Sequence, residues 1–205
     1  MRSTRTATTW PLDDTRWTRL HLDADNHTMG PEVPGALTRA DYWPTSAGVT
    51  FRSRPFGERT DVVGPLALHL QVSTQAGDLD VFASVRSVDQ DGRPVSSTAL
   101  GWLRLSQRDL DQQASTEWSP VHAHRHACEV HAGEQYALDV EIWPAGLVVP
   151  PGGHLLLTIG GSDTFATGEW RHNDSDDRPN ATFADWATLY SGPDALSWLL
   201  VPVVS

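Results

Sequence analysis

The stretch "PVHAHRHACEVHAGEQYALDVEIWP", residues 120–144, holds four of the chain's nine histidines. His122, His124 and His126 alternate, and His131 follows five residues later. In a strand, residues two apart face one side, so three imidazoles at this spacing could meet on one ion. Imidazole suits zinc, copper or nickel. Two features count against that chemistry. No Cys/His or His/Glu ligand signature of a known zinc class surrounds the histidines, and Pro120 breaks a regular strand. The segment is expected to be an exposed polar loop or edge strand without metal. Cys128 is the only cysteine, which excludes an internal disulfide framework and a multi-cysteine zinc site.

A second candidate is "HNDSDDRPN", residues 172–180. Asn173, Asp174, Asp176 and Asp177 carry hard oxygen donors of the kind calcium prefers. The pattern lacks the glycine and terminal glutamate of an EF-hand loop, so a solvated acidic turn is expected. For nucleophilic hydrolysis the chain would need an activated Ser or Cys beside a base. The G-x-S-x-G elbow is absent. "GGSD" at 160–163 offers Ser162 at a strand end, without the second glycine or a following helix. No phosphate loop, dinucleotide fingerprint or H-E-x-x-H motif is present. No catalytic, cofactor or metal residues are expected.

These residues must be positioned by strands. "LALHLQVS" puts Leu66, Leu68, Leu70 and Val72 on one face and His69, Gln71 and Ser73 on the other. "LDVFASVRSV" and "VSSTALGWLRLS" flank "DQDGRP", whose Asp-Gly pair marks a hairpin. "EQYALDVEIWP" alternates Tyr136, Leu138, Val140 and Ile142 against Gln135, Ala137, Asp139 and Glu141. "HLLLTIGGS" reads as a more fully buried strand after the turn "PPGGH". "LSWLLVPVVS" ends the sequence, and Pro202 argues for an edge or end position. "SQRDLDQQAS" is the one short helical candidate. Seven or more strands separated by turns predict an all-β sandwich. Residues 1–48, polar and marked by Pro11, Pro31, Pro34 and Pro44, are expected to be a lead-in that packs on a sandwich formed by residues 49–205.

The chain has 205 residues and a formal net charge of −11, which disfavours nucleic acid as a partner. "MRSTRTATTW" has no apolar h-region and no run is long enough to span a bilayer, so a cytoplasmic location without membrane contact is expected. Nine tryptophans are many for this length, and most are expected in the core, including those of "EIWP" and "ALGWL".

Four segments, "DVVGPLALHLQVSTQAGDLDVFASVRSVDQDGRPV", "GWLRLSQRDLD", "GEQYALDVEIWPAGLVVPPGGHLLLTI" and "SGPDALSWLLVPVV", follow one another in a characteristic order. Together they resemble the C-terminal, non-catalytic domain of the X-Pro dipeptidyl-peptidase and cocaine-esterase-like (CocE/NonD) serine hydrolases. "WPLDDTRWTRLHLD", residues 10–23, looks like the passage into that domain. The resemblance implies a jelly-roll β-sandwich, galactose-binding-domain-like. It also implies an α/β-hydrolase partner, in cis or co-encoded, that carries the Ser-Asp-His triad elsewhere. Relatives read Gly-His-Arg after the Pro-Gly turn, whereas this chain has Leu155 in place of the arginine. The stretch after "TIGGSD" also departs from the Ser-Asn-Phe-Pro type ending. The histidine run has counterparts that bridge two strands in some relatives.

The expected role is an accessory domain that shapes substrate access and stabilises a hydrolase. A free-standing carbohydrate-binding module, using Trp170 and Trp186, is the alternative. A sandwich lacking its hydrolase body would expose an apolar face and could also form a homo-oligomer. Trp10, Leu12, Trp17, Leu20, Tyr42 and Trp43 are the candidate docking residues, because they precede the first clear sandwich strand.

Overall fold

The structure is a computed structural model and describes residues 6–44, 46–162 and 183–204. The regular elements are β1 (Thr15–Asp23), β2 (Thr28–Gly30), β3 (Thr38–Tyr42), β4 (Val49–Ser53), β5 (Thr60–Thr74) and β6 (Asp80–Val88). They continue with β7 (Ala99–Arg104), β8 (Tyr136–Val149), β9 (His154–Gly160), β10 (Ala187–Ser191) and β11 (Trp198–Val204). A 3-10 turn, Leu105–Gln107, follows β7 and overlaps only the first two residues of the helical candidate 106–115, whose remainder is not helical.

β5 organises one layer. Along one edge it pairs with β8, and along the other with β11 and then β10. β3 extends β10, and β1 extends β11. β2 joins β1 to β4, and the second layer runs β4-β9-β6-β7. The path then folds back, so that β7 lies against β8. A methyl built on Gly101 of β7 would sit only 2.2 Å from the Glu141 carbonyl oxygen. Ser96 Oγ also accepts a hydrogen bond from Val148 N at 2.9 Å.

The inward phases meet between the layers. Leu66, Leu68, Leu70 and Val72 of β5 are fully buried, as are Leu138, Val140 and Ile142 of β8. Val81 and Val85 of β6 and Leu155, Leu157 and Ile159 of β9 face them from the other layer. Each such side chain contributes about 1.5–3 kcal/mol on leaving water, which makes this stripe the main source of stability. The hairpin at "DQDGRP" forms as its Asp-Gly pair requires. Gly92 takes φ +81°, Asp89 N donates to Arg93 O at 2.9 Å, and the Asp89 carboxylate accepts from Asp91 N and Arg93 N.

Two expectations are corrected. Residues 1–48 are not a lead-in packed on the sandwich. They supply β1, β2 and β3, with Trp17 registered on Pro202 and Ala40 on Leu189. Polar residues obscured these strands because each strand has one solvent face. Of the edge or end position expected for Pro202, the edge is corrected, since β11 is flanked by β1 and β5, while Pro202 does lie two residues before the end of β11. The β11–β5 register shifts between Leu200 and Val203, and this irregularity removes the missing N–H from the ladder. Gly64, with φ +146°, stands opposite, where a Cβ would come within 3.0 Å of Pro202 Cβ.

Candidate functional site

The histidine run belongs to the connection between β7 and β8, residues 105–135. It folds back on itself through Asp111 N to Val121 O at 2.8 Å and Ala123 N to Asp109 O at 2.9 Å. Its tip closes between Thr116 and Ser119 and reaches across to β1. There Arg19 Nε donates to Glu117 Oε1 at 2.7 Å, and Trp17 stacks on Trp118 with ring centroids 5.8 Å apart. The base is pinned by Cys128 N to Ser106 O at 2.7 Å and His131 N to Tyr136 Oη at 2.8 Å.

The histidines do not converge. The His122 and His124 rings are 5.9 Å apart and tilted, His124 Nδ1 meets Gln107 at 3.1 Å, and His126 is exposed. Among the described residues, no group of three or more His, Cys, Asp or Glu side chains converges as a metal-ligand set. The acidic loop 172–180 and Trp170 lie outside the described residues. Ser162 follows β9, and among the described residues no hydrogen bond joins it to a histidine.

Beneath the connection, strand register builds a row that sequence reasoning missed. His21 pairs with Trp198, Trp198 with His69, and His69 with Asp139, across β1, β11, β5 and β8. His69 Nδ1 meets Asp139 Oδ1 at 2.6 Å, and its ring stacks on Trp198 at 5.2 Å. The Arg19 guanidinium lies 4.9 Å over the Trp198 ring. Burial, and then the neighbouring His124, lower the pKa of His122, with Asp139 opposing. Burial and Arg19 lower that of His21. Only the outward phase of β5 and β8 was visible in sequence. The partners lie 70 and 129 positions apart for His69–Asp139 and His69–Trp198, so nothing local announces the row.

A cleft of about 300 Å³ opens beside His21, between β2 and β4. Within it Arg54 pairs with Glu32 at 2.9 Å, and Asp23 accepts a hydrogen bond from Asn26 Nδ2.

The docking candidates separate into two groups. Trp10 is 57% exposed, while Leu12, Trp17 and Trp43 are half-buried. Leu20 and Tyr42 are core residues, which corrects their candidacy. Both fall on the inward phase of strands that the polar lead-in pattern concealed. Burial pushes the Tyr42 phenol well above its usual pKa. Leu20→Ala is therefore expected to cost about 2–5 kcal/mol in urea unfolding, whereas Trp10→Ser should stay within about 0.5 kcal/mol of the parent.

The tryptophans also correct the core expectation. None of the eight described tryptophans, nine less Trp170, is buried. Trp102 and Trp143, 43% and 59% exposed, meet at 5.0 Å where β7 approaches β8. Trp186, 51% exposed, meets Trp43 edge-on at 5.3 Å. The signal was present in the alternation: Trp143 shares the phase of Asp139 and Glu141, opposite Val140 and Ile142.

Comparison with known proteins matches this architecture. The chain is similar to a CocE/NonD family hydrolase from Staphylococcus aureus at 27% identity and TM-score 0.89. The match covers 98% of this chain but 39% of that one. An aminopeptidase from a marine sediment archaeon, Thaumarchaeota archaeon, shares the fold at 13% identity and TM-score 0.71, with 96% of this chain and 38% of that chain covered. An alpha-amino acid ester hydrolase shares it at 16% identity and TM-score 0.65, with coverage of 91% and 36%. No curated protein sequence matches the chain. The sequence profile of the X-Pro dipeptidyl-peptidase C-terminal non-catalytic domain matches residues 2–199, and the chain belongs to that family.

Proposed function

We propose that this chain is the accessory β-sandwich of an X-Pro dipeptidyl-peptidase or esterase-type serine hydrolase. It packs against an α/β-hydrolase body, shapes the approach of substrate and stabilises the enzyme, while the triad resides in that body. The observation that carries this reading is the match itself: nearly all of this chain corresponds to 39% of the S. aureus hydrolase. A rigid wall beside a pocket excludes water and selects substrates without donating a reactive group. Trp10, Leu12, Trp17 and Trp43 remain the docking candidates, and the exposed Trp102, Trp143 and Trp186 join them. A cytoplasmic setting agrees with the lone free thiol, Cys128. Among the described residues, no helix is long and apolar enough to cross a membrane.

A carbohydrate-binding module is not favoured. Family membership points elsewhere, and Trp186 meets Trp43 edge-on instead of forming a flat stacking platform with it.

The purified chain, given activated acyl esters and an X-Pro anilide, should turn over neither above buffer, with or without Ser162→Ala. In sedimentation it should associate with a co-encoded hydrolase body, and Trp10→Ser should weaken that complex. Turnover lost in the Ser162 variant would sink the reading, as would a chain that ignores the hydrolase body.

A further inference from the structure

The connection between β7 and β8 reaches from β8, at Asp139, to β1, at Arg19 and Trp17, the two outer strands that carry the polar row. Its tip grips β1 through Glu117 on Arg19 and Trp118 on Trp17. Its stalk sets His122 beside Asp139 of β8, where Nε2 is buried and without a hydrogen-bond partner while a backbone hydrogen bond of the ring to Asp139 only partly offsets burial. Between these contacts, His69 and Asp139 retain side-chain exposures of only 21% and 32%, although both point out from the sheet. The stalk is a two-stranded flap held mainly by its own backbone, from Asp109–Asp111 against Val121–Ala123.

We propose that residues 108–124 form an acid-released flap over the His21–Trp198–His69–Asp139 row, with His122 as the group whose protonation opens it. At the tip, Arg19 and Glu117 are half exposed, so their ion pair holds weakly. The stalk therefore decides closure. Protonation would place a cation in a half-buried site beside the ring of His124. Asp139, the one carboxylate that acts on His122, is already engaged by His69 from β5 at 2.6 Å. The other charged or titratable groups of the row, Arg19 and His21 of β1, are basic. The charge would thus lack a free counterion.

The direction follows from linkage. The closed flap holds His122 with a lowered pKa, so the open form binds the proton more readily. Closure is complete above the ordinary histidine value of about 6.5 and is lost as the pH falls below it. What opens is a surface of Trp17, Trp198, His69 and Asp139 that the flap otherwise caps.

Native-state hydrogen exchange on the intact chain tests this. The reporters are the amides of Asp111 and Ala123, which bond to Val121 and Asp109. Relative to intrinsic rates, their protection should fall at least ~3-fold between about pH 7.5 and 5, while the amide of Leu68 in the core holds. His122→Gln should flatten that profile, whereas Glu117→Gln should lower protection at every pH and keep the slope. A flat profile in the parent chain overturns the proposal, as does an unchanged slope in His122→Gln. Protection that rises on acidification overturns it too, because His122 would then be pairing with Asp139 and closing the flap. If His122→Gln does not fold, the ring titration of His122 by NMR decides. Its midpoint must lie below the ordinary histidine value and coincide with flap opening.

Discussion

Gly101→Ala is expected to destabilise the protein by about 3 kcal/mol, the upper part of the range for overpacking in a closed interior. The methyl would fall 2.2 Å from the Glu141 carbonyl oxygen and 2.9 Å from Ile142 Cα, both backbone atoms of β8. Backbone of a strand whose inward residues are fully buried cannot step aside as a flexible side chain can. Relief would require β7 to lift from β8, parting the two layers where they close. For a domain of this size the loss corresponds to a fall in Tm of roughly 6–12 °C. Gly92→Ala is the control. Gly92 has φ +81° but nothing within 4 Å of an added Cβ, so it should cost only about 1–2 kcal/mol. Thermal and urea unfolding of both variants checks the order. A loss at Gly101 no larger than that at Gly92 would mean that β7 and β8 separate at little cost, because Gly101 has no positive φ to strain.

Arg104→Met is expected to cost about 3–5 kcal/mol, because it takes away a cation that sits directly against a buried carboxylate. Arg104 Nε meets Asp80 Oδ1 at 2.9 Å across the β6–β7 pair, with side-chain exposures of 13% and 4%. The Arg104 guanidinium also lies 4.9 Å over the Phe183 ring, so methionine gives up a cation–π contact as well. Replacing both partners, Arg104→Met with Asp80→Leu, should recover part of the loss, since the buried carboxylate is removed together with the cation facing it. A double-mutant cycle in urea separates the pair from the packing. A single-variant loss below about 1 kcal/mol would show that water reaches Asp80 and that the pair behaves as a surface bridge.

The fold was legible wherever a strand carried its apolar residues in unbroken alternation. β5, β6, β8 and β9 read directly, and the Asp-Gly hairpin placed the turn after β6. β1 and β3 did not, because Arg19, Arg39 and Asp41 occupy their outward phase, while the polar Arg16 and Thr18 precede Leu20 on the inward phase of β1 and leave few apolar signals. Pro202 misled for a different reason. Proline forbids a ladder bond, but whether the chain answers with an edge or a bulge depends on the opposing strand, here Gly64. The docking candidates divided along the same line. Leu20 and Tyr42 are apolar enough for either role, and their burial comes from pairing with β11 and β10.

Residue order alone determined the class of the fold, the family, and the lack of a recognised catalytic signature. These follow from local pattern: the period of two, turn chemistry, and motifs spelled over a few adjacent positions. Tertiary structure alone decided which side chains stand together. It set His69 on Asp139, stacked Trp118 on Trp17, and brought Trp102 to Trp143 at the seam between the layers. Alternation tells each residue which face it occupies. It does not tell which strand lies alongside, because register is fixed by long-range pairing, bulges and the fit of the buried faces.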